Sequence, residues 1–268
     1  MGECKNFALV TGASSGIGLA ISRELAKRGY PLLMVSIEGE KLAQEAAGLE
    51  SAYGIKTAAL CMDLARTDSA KELFDYCASN NITIDILVNN AGIFFFKNVT
   101  EISGEKAMTI MNLHIITPAM LCQSFARQMI NEKRKGFILN MASVSSRMMM
   151  PGIALYSSTK SFIRCFSRSM RNEVYDKGIS ITTISPGAVA TGLYNLPPRY
   201  LKLGIRLGII MTPERLASLA VKKMFQRKNE FIPGAFINRL FIFIVIILPE
   251  RLIRKLKQKI DGRLKLTV

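Results

Sequence analysis

Acidic residues are scarce: 20 Asp and Glu stand against 36 Lys and Arg, giving a formal net charge of +16 at pH 7. Histidine occurs once, at His114, and the five cysteines (Cys4, Cys61, Cys77, Cys122, Cys165) include no Cys-x-x-Cys pair. One histidine and scattered thiols cannot build a metal site or a disulfide framework. His114 therefore reads as a packed or surface residue, and the cysteines as small core residues. No signal peptide is read before the first apolar segment, so the expected location is a reducing cytoplasm. Repeats are missing, as are linkers rich in Gly, Ser or Pro, which leaves a single domain for 268 residues. Long apolar runs are missing too. The longest, LFIFIVIIL at 240–248, has nine residues, about 14 Å as a helix. A bilayer core is about 30 Å thick, so this run cannot cross one alone.

The charge is unevenly placed. Residues 199–268 hold sixteen Lys and Arg and four Asp and Glu, so +12 of the +16 lies there and +4 in the first 198 residues. A local anionic partner is expected, either a membrane or a nucleic acid.

What is present alternates. Short apolar runs read as strands at 7–12, 31–36, 57–63, 84–92, 136–143, 179–187 and 229–234. Between them, apolar residues at helical spacing predict helices over 16–28, about 40–53, near 68–80, about 104–131, 154–175 and 213–226. Buried strands alternating with amphipathic helices imply a parallel sheet covered on both faces. Right-handed crossovers make it doubly wound, with ligands at the carboxyl ends of its strands. The expected fold is thus α/β, a Rossmann-type doubly wound parallel sheet of about seven strands. It is read as one domain over 1–234 with a C-terminal helical extension over 235–268.

The stretch TGASSGIG (11–18) falls between the first strand and the first helix. Gly12 permits a tight turn, and Gly16 and Gly18 permit close approach of a pyrophosphate and of helix to strand. A helix N-terminus there supplies free N–H groups and positive potential for phosphate. The spacing Gly-x-x-x-Gly-x-Gly resembles that of the short-chain dehydrogenase/reductase family. Further elements agree in order: Asp63 ending the third strand, NNAG (89–92) after the fourth, and PGAVAT (186–191) after the sixth. In the family these flank the adenine, the cofactor wall and the nicotinamide carboxamide. The resemblance covers about residues 5–234. It implies a dinucleotide site formed by Gly12, Ser14, Ser15, Gly16, Ile17 and Gly18 in the loop. Ser36, Asp63 and Leu64 would extend it, followed by Asn90, Ala91 and Gly92, and then Pro186, Gly187, Val189 and Thr191.

LYSSTK (155–160) places Tyr156 four residues before Lys160, on one face of a helix and roughly 5–6 Å apart at Cβ. The family also requires a serine thirteen residues before the tyrosine, which is Ser143, with Ser145 and Ser146 assigned to the loop. Asn112, in the middle helix, matches the family's fourth member, whose carbonyl or side chain anchors a water near the lysine. The chemistry implied is hydride reduction of a ketone. A phenol with a pKa near 10 is a sluggish acid at neutral pH. An ammonium about 5 Å away, at an effective dielectric near 20, contributes roughly 3 kcal/mol, or about two pKa units. Tyr156 and Lys160 would also touch the cofactor, Lys160 at the nicotinamide ribose. Ser143 would donate to the carbonyl oxygen as charge develops there.

Cofactor choice is less determined. Past the second strand the family often carries Asp for NAD or Arg for NADP, whereas this chain has Ile37 and Glu38. Ser36 could donate to a 2′-phosphate, and similar reductases favour NADP(H) over NAD(H), so NADP(H) is expected. The segment at about 192–212 corresponds to the family's substrate lid, and its Leu, Ile and Met content implies an apolar substrate. Beyond it, PERLIRKLKQKI (249–260) reads as a basic amphipathic helix. Residues 239–265 could therefore lie on an anionic membrane at the cytoplasmic face, or form a subunit interface. Nucleic acid is not expected, because no aromatic stacking series accompanies the charge. The expected protein is an NAD(P)(H)-dependent oxidoreductase of a hydrophobic or lipidic ketone, homodimeric or homotetrameric, resembling 3-ketoacyl and keto-sphingoid reductases. The alternatives are a soluble dehydrogenase of small polar or steroid-like alcohols, and a non-catalytic dinucleotide-binding regulator.

Overall fold

In the computed structural model, which describes residues 6–148, 150–191, 198–234 and 251–252, seven parallel strands form one sheet. They are β1 (Phe7–Thr11), β2 (Leu32–Ser36), β3 (Thr57–Cys61), β4 (Ile84–Asn89), β5 (Gly136–Met141), β6 (Ile179–Ile184) and β7 (Glu230–Phe231), in the order β3-β2-β1-β4-β5-β6-β7. The order reverses between β1 and β4, and ligands of open α/β sheets bind at that switch point, beyond the carboxyl ends of the strands.

Strand alternation divides the core in two. Ala8, Val10, Leu32, Met34, Val88 and Leu139 face α1 (Gly16–Ala26), α2 (Gly39–Tyr53) and α8 (Pro213–Phe225). Their neighbours Leu9, Leu33, Val35, Leu87 and Ile138 face α3 (Ser69–Ser79), α5 (Thr117–Asn131) and α6 (Ala154–Val174). Two layers of helices thus cover the sheet, as the alternating sequence predicts. Phe125 is fully buried in the second layer, and burying such a side chain contributes about 1.5–3 kcal/mol. Strand β3, at the edge, keeps several partly exposed residues rather than a closed run.

Some expectations change. The helix predicted over 104–131 is three pieces: α4 (Gly104–Met111), a π-helical segment at Asn112–Ile116, and α5. The π turn adds a residue without breaking the apolar pattern, so periodicity does not announce it. Of the described cysteines, Cys77 and Cys122 are buried as expected, whereas Cys61 and Cys165 are exposed. Burial pushes both core thiols up to about 12. Within the 192–212 segment, Pro198–Arg206 forms α7. The expected C-terminal extension lies outside the described residues apart from Arg251 and Leu252.

Candidate active site

The β1–α1 loop closes on the β4 end through Asn90. Its side-chain amide donates to Thr11 O (2.9 Å) and Gly12 O (3.3 Å). The Asn90 and Ala91 N–H groups donate to Thr11 Oγ1 (2.9 and 3.0 Å), which in turn donates to Val88 O (3.2 Å). Thr11 thus ties the two loops together, a role that sequence reading missed. The only cue was a polar residue closing an apolar strand. Gly12 and Gly16 take positive φ. At Gly18 the need for glycine is steric: a Cβ would come within 2.1 Å of Gly12 O. Gly18 therefore sits behind the loop and lets α1 approach β1.

Gly12, Ser14, Ser15, Gly16 and Ile17 line a cleft of about 820 Å³ together with Ser36, Asp63 and Leu64 from the ends of β2 and β3. Asn90, Ala91, Gly92 and Thr191 close its other side. The donor-rich loop at the start of α1, its glycine packing and this volume fit a dinucleotide. Asp63 Oδ1 accepts from the Ala65 N–H at 2.9 Å, which fixes the turn after β3. At the β2 end, Ser14 Oγ donates to Glu38 Oε2 at 2.6 Å and lies 2.9 Å from Ser36 Oγ. The Ser14 hydroxyl, followed by Lys41, holds the Glu38 carboxyl below its usual range. Ile37 is 66% exposed.

A smaller cavity of about 70 Å³ adjoins this cleft. Ser143 after β5 and Tyr156 and Lys160 on α6 all line it, with Pro186, Gly187 and Val189 after β6. The sequence-predicted residues from four strand ends therefore meet. Ser143 Oγ accepts from the Ser145 N–H at 3.1 Å, which leaves the hydroxyl hydrogen available to another acceptor. Ser146 O instead accepts from Ser161 Oγ (2.7 Å), and Ser145 Oγ is buried without a hydrogen-bond partner among the described residues. Lys160 Nζ donates to Met141 O at 3.0 Å and lies 5.8 Å from the centre of the Tyr156 ring. Burial pushes the Lys160 ammonium down to about 8. Phe94 packs edge-on against Tyr156 at 4.9 Å, and His114 does so at 5.7 Å.

Asn112 opens the π segment between α4 and α5. Its side-chain amide donates to Ala65 O at 2.8 Å, and its carbonyl accepts the Thr117 N–H in the π segment. Asn112 does not line the cavity with Lys160. No group of three or more His, Cys, Asp or Glu suited to a metal occurs among the described residues.

Comparison with known proteins agrees with this geometry. The very-long-chain 3-oxoacyl-CoA reductase-B of Danio rerio is 31% identical over 256 residues, covering 93% of this chain and 78% of that protein. The 3-oxoacyl-(acyl-carrier-protein) reductase FabG of Chlamydia trachomatis serovar D is 31% identical over 220 residues, covering 80% and 88%. A solved short-chain dehydrogenase from Sphingobium yanoikuyae, in complex with NADPH, superposes with a TM-score of 0.76 at 23% identity, covering 97% and 95%. Residues 6–196 match the short chain dehydrogenase family. With the loop, the cleft and the Ser143–Tyr156–Lys160 cavity in family order, the chain belongs to the short-chain dehydrogenases, NAD(P)-dependent oxidoreductases that interconvert ketones and alcohols.

Proposed function

We propose that this protein reduces the keto group of an apolar, acyl-type substrate, with Tyr156 as proton donor. The observation that carries the reading is the shared cavity of Ser143, Tyr156 and Lys160 beside the glycine-lined cleft. A reduced nicotinamide, held by the residues that line that cleft, would supply the hydride. Ser143 then donates to the carbonyl oxygen, where negative charge collects, and the Tyr156 hydroxyl gives that oxygen its proton. Lys160 makes the phenol a better acid. Its Nζ lies 5.8 Å from the ring centre, close enough for its charge to favour the deprotonated phenol. The acyl preference follows from the names of the relatives and from Ile93 and Phe94 beside Tyr156. The 192–212 segment, including α7, is the proposed substrate cover. Screening long-chain 3-oxoacyl thioesters, sterol-like ketones and small polar ketones, while following oxidation of the reduced cofactor, tests the reading. Turnover confined to small polar ketones, or none at all, overturns it.

For the cofactor, NADP(H) is proposed on Ser36 as a donor, with Lys41 and Arg66 lining the same cleft. A second reading, NAD(H), is favoured by one contact: the Glu38 carboxylate held by Ser14 at the rim, where it would repel a 2′-phosphate. Fluorescence titration with both reduced cofactors separates them. NADP(H) predicts tighter NADPH binding, improved further in Glu38→Arg. A tenfold or greater preference of the wild type for NADH establishes the second reading.

Self-association and peripheral attachment to the cytoplasmic face of a membrane are also proposed. Exposed Met108, Ile116 and Met120 on the α4–α5 segment support the first. Exposed Leu203, Leu207 and Ile209 beside Lys202 and Arg206 support the second, as does the net charge of +5 over residues 250–268 (seven Lys and Arg against Glu250 and Asp261). Among the described residues, no helix is long and apolar enough to cross a membrane.

A further inference from the structure

His114 has no part in the proposed proton transfer, yet it is 2% exposed and lines the cavity beside Tyr156 and Lys160. Each ring nitrogen has a partner. The Ile93 N–H donates to Nε2 at 3.0 Å, and Nδ1 lies 3.0 Å from Thr159 Oγ1. An amide nitrogen only donates, so Nε2 is the bare nitrogen and a neutral ring carries its proton on Nδ1. Nδ1–H then donates to Thr159 Oγ1, whose own hydrogen goes to the Tyr156 carbonyl at 2.8 Å. The chain of hydrogen bonds runs in one direction, from the turn after β4 to the helix carrying the phenol. Burial and the Lys160 charge hold the imidazole well below its usual range, in the neutral form this chain requires.

We propose that His114 is a positioning residue, which locks the Gly92–Ile93 turn and the Tyr156 turn of α6 into one unit. The proposal rests on Tyr156 as the proton donor. Several observations separate this from simple packing. An aliphatic side chain would fill the same space without leaving a polar path, and Thr159, 1% exposed, has no solvent to bond instead. The π segment Asn112–Ile116 carries His114, and such insertions concentrate at functional sites. Gly92 is packed directly on the ring: a Cβ there would lie 2.8 Å from Nε2. Tyr156 is held between the Phe94 and His114 rings, so a shift of His114 moves the phenol. Misplacement by about 1 Å can cost about a hundredfold in rate.

The test uses His114→Phe, which keeps a ring against Tyr156 but removes both hydrogen bonds. It also uses Thr159→Val, which cuts the same chain one link further on at equal volume. Both are expected to lower kcat at least about tenfold while the ketone KM stays within about twofold. The double variant should be no slower than the worse single one, because both break one path. If His114→Phe does not fold, His114→Asn replaces it. That variant retains a donor for Thr159, loses the acceptor for Ile93, and should also lose kcat at constant KM. Folded single variants with kcat within twofold of wild type overturn the proposal, as do losses that multiply in the double variant. Wild-type turnover is measured first. A wild type inactive on every ketone overturns the reductase reading and this role with it, whereas an active wild type with unimpaired variants overturns the role of His114 alone.

Discussion

Lys160 strengthens Tyr156 as an acid only while it carries charge, and burial has moved that charge into reach of ordinary pH. With its ammonium pushed down to about 8 from an ordinary 10.5, Lys160 is charged below that value and neutral above it. The help given to Tyr156 is therefore present below about pH 8 and lost as pH rises through it. Ketone reduction at saturating cofactor should hold level up to about pH 8 and then fall, approaching about tenfold per unit well above it. A profile level to pH 10 would contradict this account of Lys160. The resemblance to the family made Ser143, Tyr156 and Lys160 legible, because the family's offsets pick out each of them relative to the others and to a strand end. Thr11 and His114 offered no such pattern. Each is a single polar residue on an apolar element, and its importance comes from partners 77 and 45 residues away. Asn112 was legible by position, but the π segment that carries it was not.

At the scale of elements, the β1–α1 unit sets how closely a phosphate can approach the sheet. Gly18 is the tightest point, with the Gly12 carbonyl where a side chain would begin. Gly18→Val must push the loop outward, and overpacking of this kind costs typically about 1–3 kcal/mol. The expected outcome is at least a tenfold weaker affinity for the reduced cofactor, read by fluorescence titration, with a lowered melting temperature. Unchanged affinity would remove the loop from the cofactor site. Most element positions were visible in the sequence, because parallel strands here are near-continuous apolar runs and helices keep their 3.6-residue stripe. The middle helix is an exception, because its π segment differs in hydrogen bonding rather than in hydrophobic pattern.

For the whole molecule, the uneven charge and the apolar residues of α7 bear on attachment. Basic residues near an anionic surface contribute about 1 kcal/mol each. Full-length protein should co-sediment with anionic vesicles at low salt, weakly with neutral ones, and be released in large part at high salt. A chain truncated after Phe236 should lose most of this binding. If the full-length protein ignores anionic vesicles while truncation dissociates oligomers in light scattering, the C-terminal segment is a subunit interface instead. The sequence could bound these options through charge and run length, but not choose between them, because lipid and a second subunit ask for the same amphipathic pattern. The central claim, reduction of an apolar ketone through Tyr156, has one direct measurement. Wild type and Tyr156→Phe are compared for cofactor oxidation with a long-chain 3-oxoacyl thioester, with cofactor affinity measured alongside. The account predicts turnover by the wild type and a loss of at least about a hundredfold in the variant, at nearly unchanged cofactor affinity. Equal turnover by the two proteins would contradict it.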